Sequence, residues 1–201
     1  MSESDTRQRM VEAATLLFQS RGYRGTSWRT LVQASKTPWG SIQHHFPGGK
    51  EELGLAAVEH GAGLLAQFIS SCMTSADSPA DGVTAWFDAG ARALEASDYQ
   101  NGCPIAAVAI DVSATESALT AACAAAFEAC EGILRTRLRE VGVPDGEASS
   151  LATTVLACFE GALLLSRSRR DVAPIREASG VMAALVKDAV DVSRRTAVAK
   201  K

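Results

Sequence analysis

The chain has 201 residues, 47% hydrophobic and 21% charged, the composition of an ordinary folded protein of one large domain or of a small domain joined to a larger one. A net charge of -3 argues against nucleic-acid binding when taken over the whole chain. The charge is uneven, however: between Thr6 and Lys50 stand seven basic residues (Arg7, Arg9, Arg21, Arg24, Arg29, Lys36 and Lys50) against one acid, Glu12, a local excess that suits a phosphate backbone.

No apolar run follows a basic start, and the longest apolar stretches are broken before about 18 residues, so neither a signal peptide nor a membrane span is expected. The five cysteines, odd in number and widely spaced, fit a reducing cytoplasm better than a disulfide framework. No histidine lies beyond His60, so the cysteine-bearing half lacks the usual zinc partners. No metal and no cofactor is expected.

Asp5 followed by Gln8 resembles a capping box, and Met10, Val11, Ala14, Leu17 and Phe18 recur at helical spacing. A first helix is therefore predicted to end at Gly22, with Tyr23-Arg-Gly25 as a turn. Thr26 or Ser27 caps a second helix whose inner face is Trp28, Leu31 and Val32. Thr37 is placed to cap a third helix that opens at Pro38, where the missing N–H costs nothing. Ile42 and Phe46 anchor one side of that helix; Trp39, Gly40, Ser41, Gln43 and His44 lie on the other. Two short helices, a tight turn between them and a small, polar outer face on the second make the pattern of a helix-turn-helix, whose second helix enters the major groove of double-stranded DNA.

A core of Leu17, Phe18, Trp28, Leu31, Val32, Ile42 and Phe46 is marginal at this size and should lean on the next helix, predicted over 50–72 as a rigid connector. Further helices are predicted over 79–96, 104–112, 117–141, 147–169 and 174–195, and strand patterning is absent. The expected fold is all-α, with nine helices.

Within the basic segment, Ser27, Arg29, Ser41, His44 and Lys50 suit phosphate contacts, while Trp39, Gly40 and Gln43 face bases. Gln43 can pair with adenine N6 and N7, Trp39 can press on a thymine methyl, and Gly40 permits close backbone approach. Further on, Phe68, Trp86, Phe87, Phe127 and Phe159 occupy separate helices that can converge on a mostly apolar small-molecule pocket, although each alone is more often core. Asp111, in an apolar helix, would favour a cationic ligand. Cys103 precedes Pro104 and stands at a helix N-terminus, where a thiol pKa is lowered, so redox sensing through Cys103 is the alternative function. An enzyme lacks a base: His44, His45 and His60 lie in or near the DNA-binding segment, away from the cysteines.

Residues Thr6 to Leu53 resemble the DNA-binding domain of the TetR/AcrR family of bacterial transcriptional regulators. Arg9-Met-Val-Glu-Ala-Ala14, Leu17-Phe18, Arg21-Gly-Tyr23, Gly25-Thr-Ser27, Leu31, Gly40-Ser-Ile42, His44-His-Phe46 and Lys50-Glu-Glu-Leu53 carry the likeness. Phe46-Pro-Gly-Gly-Lys-Glu-Glu-Leu53 and Gly102-Cys-Pro-Ile-Ala-Ala-Val-Ala-Ile-Asp111 are similar to the LmrA/YxaF-like branch. The resemblance implies a homodimer joined through the last two helices (147–169 and 174–195). It further implies a small-molecule effector held among the fourth to eighth helices, a palindromic operator released on effector binding, and the same phosphate contact for Lys50. On it the chain divides into a DNA-binding domain, 1–49, and a ligand-binding and dimerisation domain, 50–201, with the helix over 50–72 connecting them. Lys36 stands where the family usually has glycine, so a left-handed backbone is expected there. Trp39 and Gln43 replace a basic residue and a tyrosine, which points to a different operator.

Overall fold

The computed structural model describes residues 3–112 and 117–199. Among them the chain forms nine α-helices and no strand: α1 (Glu3–Gly25), α2 (Trp28–Ser35), α3 (Ser41–His45), α4 (Gly49–Ser75), α5 (Pro79–Ala96), α6 (Pro104–Asp111), α7 (Ser117–Glu140), α8 (Asp145–Arg169) and α9 (Ala173–Ala199). Two compact units result, Met1–Leu64 with Asn101–Phe127, and Leu65–Gln100 with Glu128–Lys201. These units do not follow the boundary expected after residue 49. The first half of α4 belongs with the N-terminal helices, and so does α6, because α6 packs along α1 and the Gly102 N–H donates to the Gln19 carbonyl at 3.0 Å.

In the first unit, α1 begins at Glu3, upstream of Asp5, so Asp5 is no cap; the Gln8 amide reaches Glu12 Oε1 instead, at 3.0 Å. Gly22 breaks the helix with φ 75° and ψ 169°. Ser27 caps α2 by accepting from the Thr30 N–H at 3.2 Å. At the other end Lys36 takes the expected left-handed conformation (φ 53°, ψ 41°), and the Thr37 N–H closes the turn on the Val32 carbonyl. Met10, Val11, Ala14, Phe18, Tyr23, Leu31, Phe46 and Leu53 are buried. Leu17 on α1 is only half-buried, and so are Trp28, Val32 and Ile42, because α2 and α3 have two turns and little more than one and cannot turn a wide face inward.

In the second unit α5, α8 and α9 pack together. Ser78 caps α5 just before Pro79, and Val83, Trp86, Phe87, Ala91 and Leu94 face inward at helical spacing. Leu151, Val155, Leu156, Phe159 and Leu163 of α8 and Ile175, Met182 and Val186 of α9 complete the core. Arg170, left-handed after α8, donates to Asp98 Oδ1 at 2.5 Å and lies over the Tyr99 ring. By length and composition alone α4 and α8 are apolar enough to cross a membrane, a property that helices of a folded core share. On α8 Leu151, Val155, Leu156, Phe159 and Leu163 are buried in the core of the second unit, while Leu164 and Leu165 are exposed.

Candidate functional site

The third helix is entered through a tighter turn than the sequence suggests. The Ser41 N–H donates to Pro38 O at 3.0 Å and the Ile42 N–H to Trp39 O at 3.3 Å, bonds of the 3₁₀ kind, and α3 proper starts at Ser41. Thr37 does not cap it: its hydroxyl is buried against Ser35 Oγ at 2.7 Å. Phe46, just past the last turn, is fully buried and pins the helix. Trp39, Gly40, Gln43 and His44 are all exposed, and by helical register they form one stripe, with Ser41 half-buried at its edge. The Trp39 ring is 61% exposed, an unusual place to leave an indole on a folded surface. Ser27 and Arg29, at the start of α2, are exposed as well.

Several of the basic residues hold this head together. Arg9 on α1 donates to the carbonyls of Ser35 and Lys36, which the end of α2 leaves without helical partners. Arg7 lies over the Phe46 ring, 5.3 Å from its centroid. Lys50 sits 4.7 Å above the Tyr23 ring and reaches the Arg24 carbonyl at 3.4 Å, so the expected phosphate contact is also a brace for the turn before α2. Arg21, Arg29 and Lys36 are exposed. All of these cations contribute to the field around α2 and α3.

The seven candidate ligand residues do not form one group. Trp86, Phe87 and Phe159 meet in the second unit, with ring centroids 4.7 Å (Trp86–Phe159), 5.1 Å (Phe87–Phe159) and 5.7 Å (Trp86–Phe87) apart. All three are buried against one another, and a Cβ on Gly90 would lie 2.7 Å from the Phe159 ring, so this cluster is filled core. Phe68 is exposed. Cys103, Asp111 and Phe127 belong to the first unit. Cys103 caps α6 through its thiol, which accepts from the Ala106 N–H at 3.5 Å, and is 8% exposed. Asp111 faces Arg24 of the α1–α2 turn, which departs from the cationic-ligand role expected of it.

A groove opens within each unit, and none of the seven lines either. In the second unit a groove of about 470 Å³ runs between Ser70, Met73 and Thr74 of α4 and Ile133, Arg135 and Arg137 of α7. In the first, about 540 Å³ is bounded by Arg9, Leu16, Ser35, Lys36 and Asn101. Sequence reasoning missed both, and it missed the roles of Arg9 and Lys50 in the head. The aromatic and acidic residues it favoured follow chemistry, whereas these linings are set by which helix faces meet.

The sequence profile for bacterial regulatory proteins of the tetR family matches residues 10–57, and that for the C-terminal domain of LmrA/YxaF-like transcriptional regulators matches residues 79–181. The HTH-type transcriptional regulator LmrA of Bacillus subtilis is 32% identical over 187 residues, spanning 93% of this chain and 100% of that protein. The HTH-type transcriptional repressor DhaR of Mycobacterium sp. is 27% identical over 184 residues, 87% of this chain and 89% of that protein. Among solved structures, the regulator CifR in complex with 26-bp double-strand operator DNA superposes with a TM-score of 0.70 at 22% identity, covering 92% of this chain and 94% of that one.

Proposed function

Because the chain belongs to the TetR family of bacterial transcriptional regulators, with an LmrA/YxaF-like C-terminal domain, it is a DNA-binding regulator rather than an enzyme, and we propose that it is a homodimeric repressor released from a palindromic operator by a small, mostly apolar molecule. The observation that carries the proposal is the stripe of Trp39, Gly40, Gln43 and His44, exposed on a short helix pinned from behind by Phe46, within a segment of seven cations and one acid. Trp39, Gly40 and Gln43 read bases; Ser27, Arg29, Ser41, His44 and Lys50 bind phosphates. The repressor named DhaR and the operator-bound structure of CifR support this use of the head.

The homodimer is formed through α8 and α9. Leu164 and Leu165 of α8 and Val181, Leu185 and Val192 of α9 are exposed, Leu164 to 61% and Val181 to 63%, an apolar set that a second copy would cover. Effector binding then favours a spacing of the two α3 helices that misses successive major grooves, roughly 34–36 Å apart. Such a regulator works in the cytoplasm, where its operator lies. A gel shift on the DNA upstream of its own gene, with and without candidate effectors, tests the proposal: a retarded band that an apolar compound abolishes is expected, and absence of any retarded band refutes it.

Redox sensing through Cys103 is the second reading, favoured by the backbone N–H that its thiol accepts at the start of α6. The burial of Cys103 weighs against it. If Cys103→Ser leaves peroxide-dependent operator release unchanged, this second reading is excluded.

A further inference from the structure

The turn between α1 and α2 is held from a distant part of the chain. α1 is interrupted at Gly22, whose φ of 75° and ψ of 169° L side chains rarely adopt. A Cβ on Gly22 would lie 2.6 Å from Asp111 Oδ2, so the glycine also clears room for a carboxylate 87 positions further along than Arg24. The Arg24 N–H donates to that Oδ2 at 2.9 Å, and Arg24 Nε donates to the Asp111 carbonyl at 2.5 Å. Asp111 is the last residue of α6, and its carbonyl is one of those a helix end leaves without a partner. On the other side of the turn, Thr26 Oγ1 donates to the Gly22 carbonyl at 2.8 Å and Lys50 Nζ to the Arg24 carbonyl at 3.4 Å. Ser27, the next residue, caps α2, and Arg29 lies in the first turn of that helix.

We propose that Asp111 is a positioning residue for DNA binding: it touches no DNA, and its carboxylate fixes the Gly22–Thr26 turn that aims Ser27 and Arg29 at the duplex. The inference rests on the assignment of those two residues as phosphate contacts. It gives the acid a role opposite to that of a counter-ion for a cationic effector. The carboxylate orders backbone that leads into the basic face, and it does so through an N–H rather than through a charged partner alone. An asparagine keeps an acceptor for the Arg24 N–H; an alanine keeps none.

The test is the affinity of the full chain, by fluorescence anisotropy against salt, for a duplex that the wild-type protein selects from a random pool. Asp111→Ala is expected to weaken binding roughly tenfold, the size of one charge-assisted hydrogen bond, with an unchanged salt slope because no phosphate contact is removed. Asp111→Asn should recover to within about threefold of wild type. Arg29→Ala, the reference, should lower the salt slope by about 1. Wild-type affinity in Asp111→Ala overturns the proposal, and so does an asparagine variant as weak as the alanine one. If Asp111→Ala does not fold, Asp111→Leu, close to the native side chain in size but without an acceptor, decides: a several-fold loss at constant slope supports the proposal, and wild-type affinity overturns it. A wild-type chain that selects no duplex, or an Arg29→Ala variant with the wild-type slope, removes the DNA-face assignment and this inference with it. Those results are distinct from an Asp111 variant that binds normally.

Discussion

Arg9 Nη2 on α1 donates to the Lys36 carbonyl at 2.7 Å, so the left-handed residue that ends α2 is held in place by the helix before it. A lysine there carries a steric cost that glycine escapes. Lys36→Gly is therefore expected to stabilise the fold by about 1 kcal/mol, and Arg9→Ala to destabilise it by about 1–2 kcal/mol. Denaturant unfolding of the two variants measures both. A neutral or destabilising Lys36→Gly would show that the turn is not strained.

Trp39 is exposed while Phe46, at the other end of the same short segment, is buried, and the two should separate cleanly on mutation. Trp39→Ala is expected to change stability by no more than about 0.5 kcal/mol while weakening operator binding. Gln43→Ala should relax discrimination at one base position by about 1–3 kcal/mol. Selection of duplexes by the variants, followed by titration of the best ones, reads both effects.

The aromatic cluster of the second unit should behave as core. Phe159→Ala is expected to cost about 3–5 kcal/mol, and Gly90→Ala about 1–3 kcal/mol through the clash with the Phe159 ring. Urea titration provides the numbers. A Phe159→Ala chain of unchanged stability would return these rings to the list of ligand contacts.

A glutamate at Leu164 or at Val181 should hold two copies apart, since each would introduce like charges across the proposed α8–α9 contact between identical faces. Sedimentation is expected to show a single copy for Leu164→Glu or Val181→Glu, with operator affinity falling in step as two half-sites are no longer bound together.

Cys130 on α7 is pushed up to about 11 from its ordinary 9.0, first by burial and then by the carboxylates of Glu160 and Glu131. The folded chain thus holds the thiol proton after the unfolded chain has released it. Stability from this group is complete below pH 9 and falls as pH rises toward about 11. Cys130→Ala should flatten that part of a stability-against-pH curve, and Cys130 of the native protein should resist alkylation at neutral pH.

Helices with local punctuation were legible. Ser78 and Pro79 open α5 where the sequence places it, and the glycine break at Gly22 and the left-handed Lys36 follow from single residues in context. The start of α3 was less legible: Pro38 does begin a helical turn, but i→i−3 bonds delay α3 to Ser41, and the Thr37 hydroxyl found Ser35 instead of a backbone N–H. Helical period says which side of a segment is apolar and not which other segment it meets. Trp86, Phe87 and Phe159 therefore found one another while Phe68 remained exposed. The Arg24–Asp111 contact spans 87 positions and leaves no periodic trace at all.

The N-terminal unit is assembled from two separate stretches, with α6 folded beside α1 and the start of α7 in the same unit. Anyone grafting this reader onto a different sensor, or producing it as an isolated fragment, would cut after Leu64 by the usual rule of contiguous modules. That fragment would lack Gly102 against Gln19 and Asp111 against Arg24, and would bare the side of α1 that α6 covers. A working chimera of this regulator has to exchange its parts at three points in the chain or leave residues 101–127 in place.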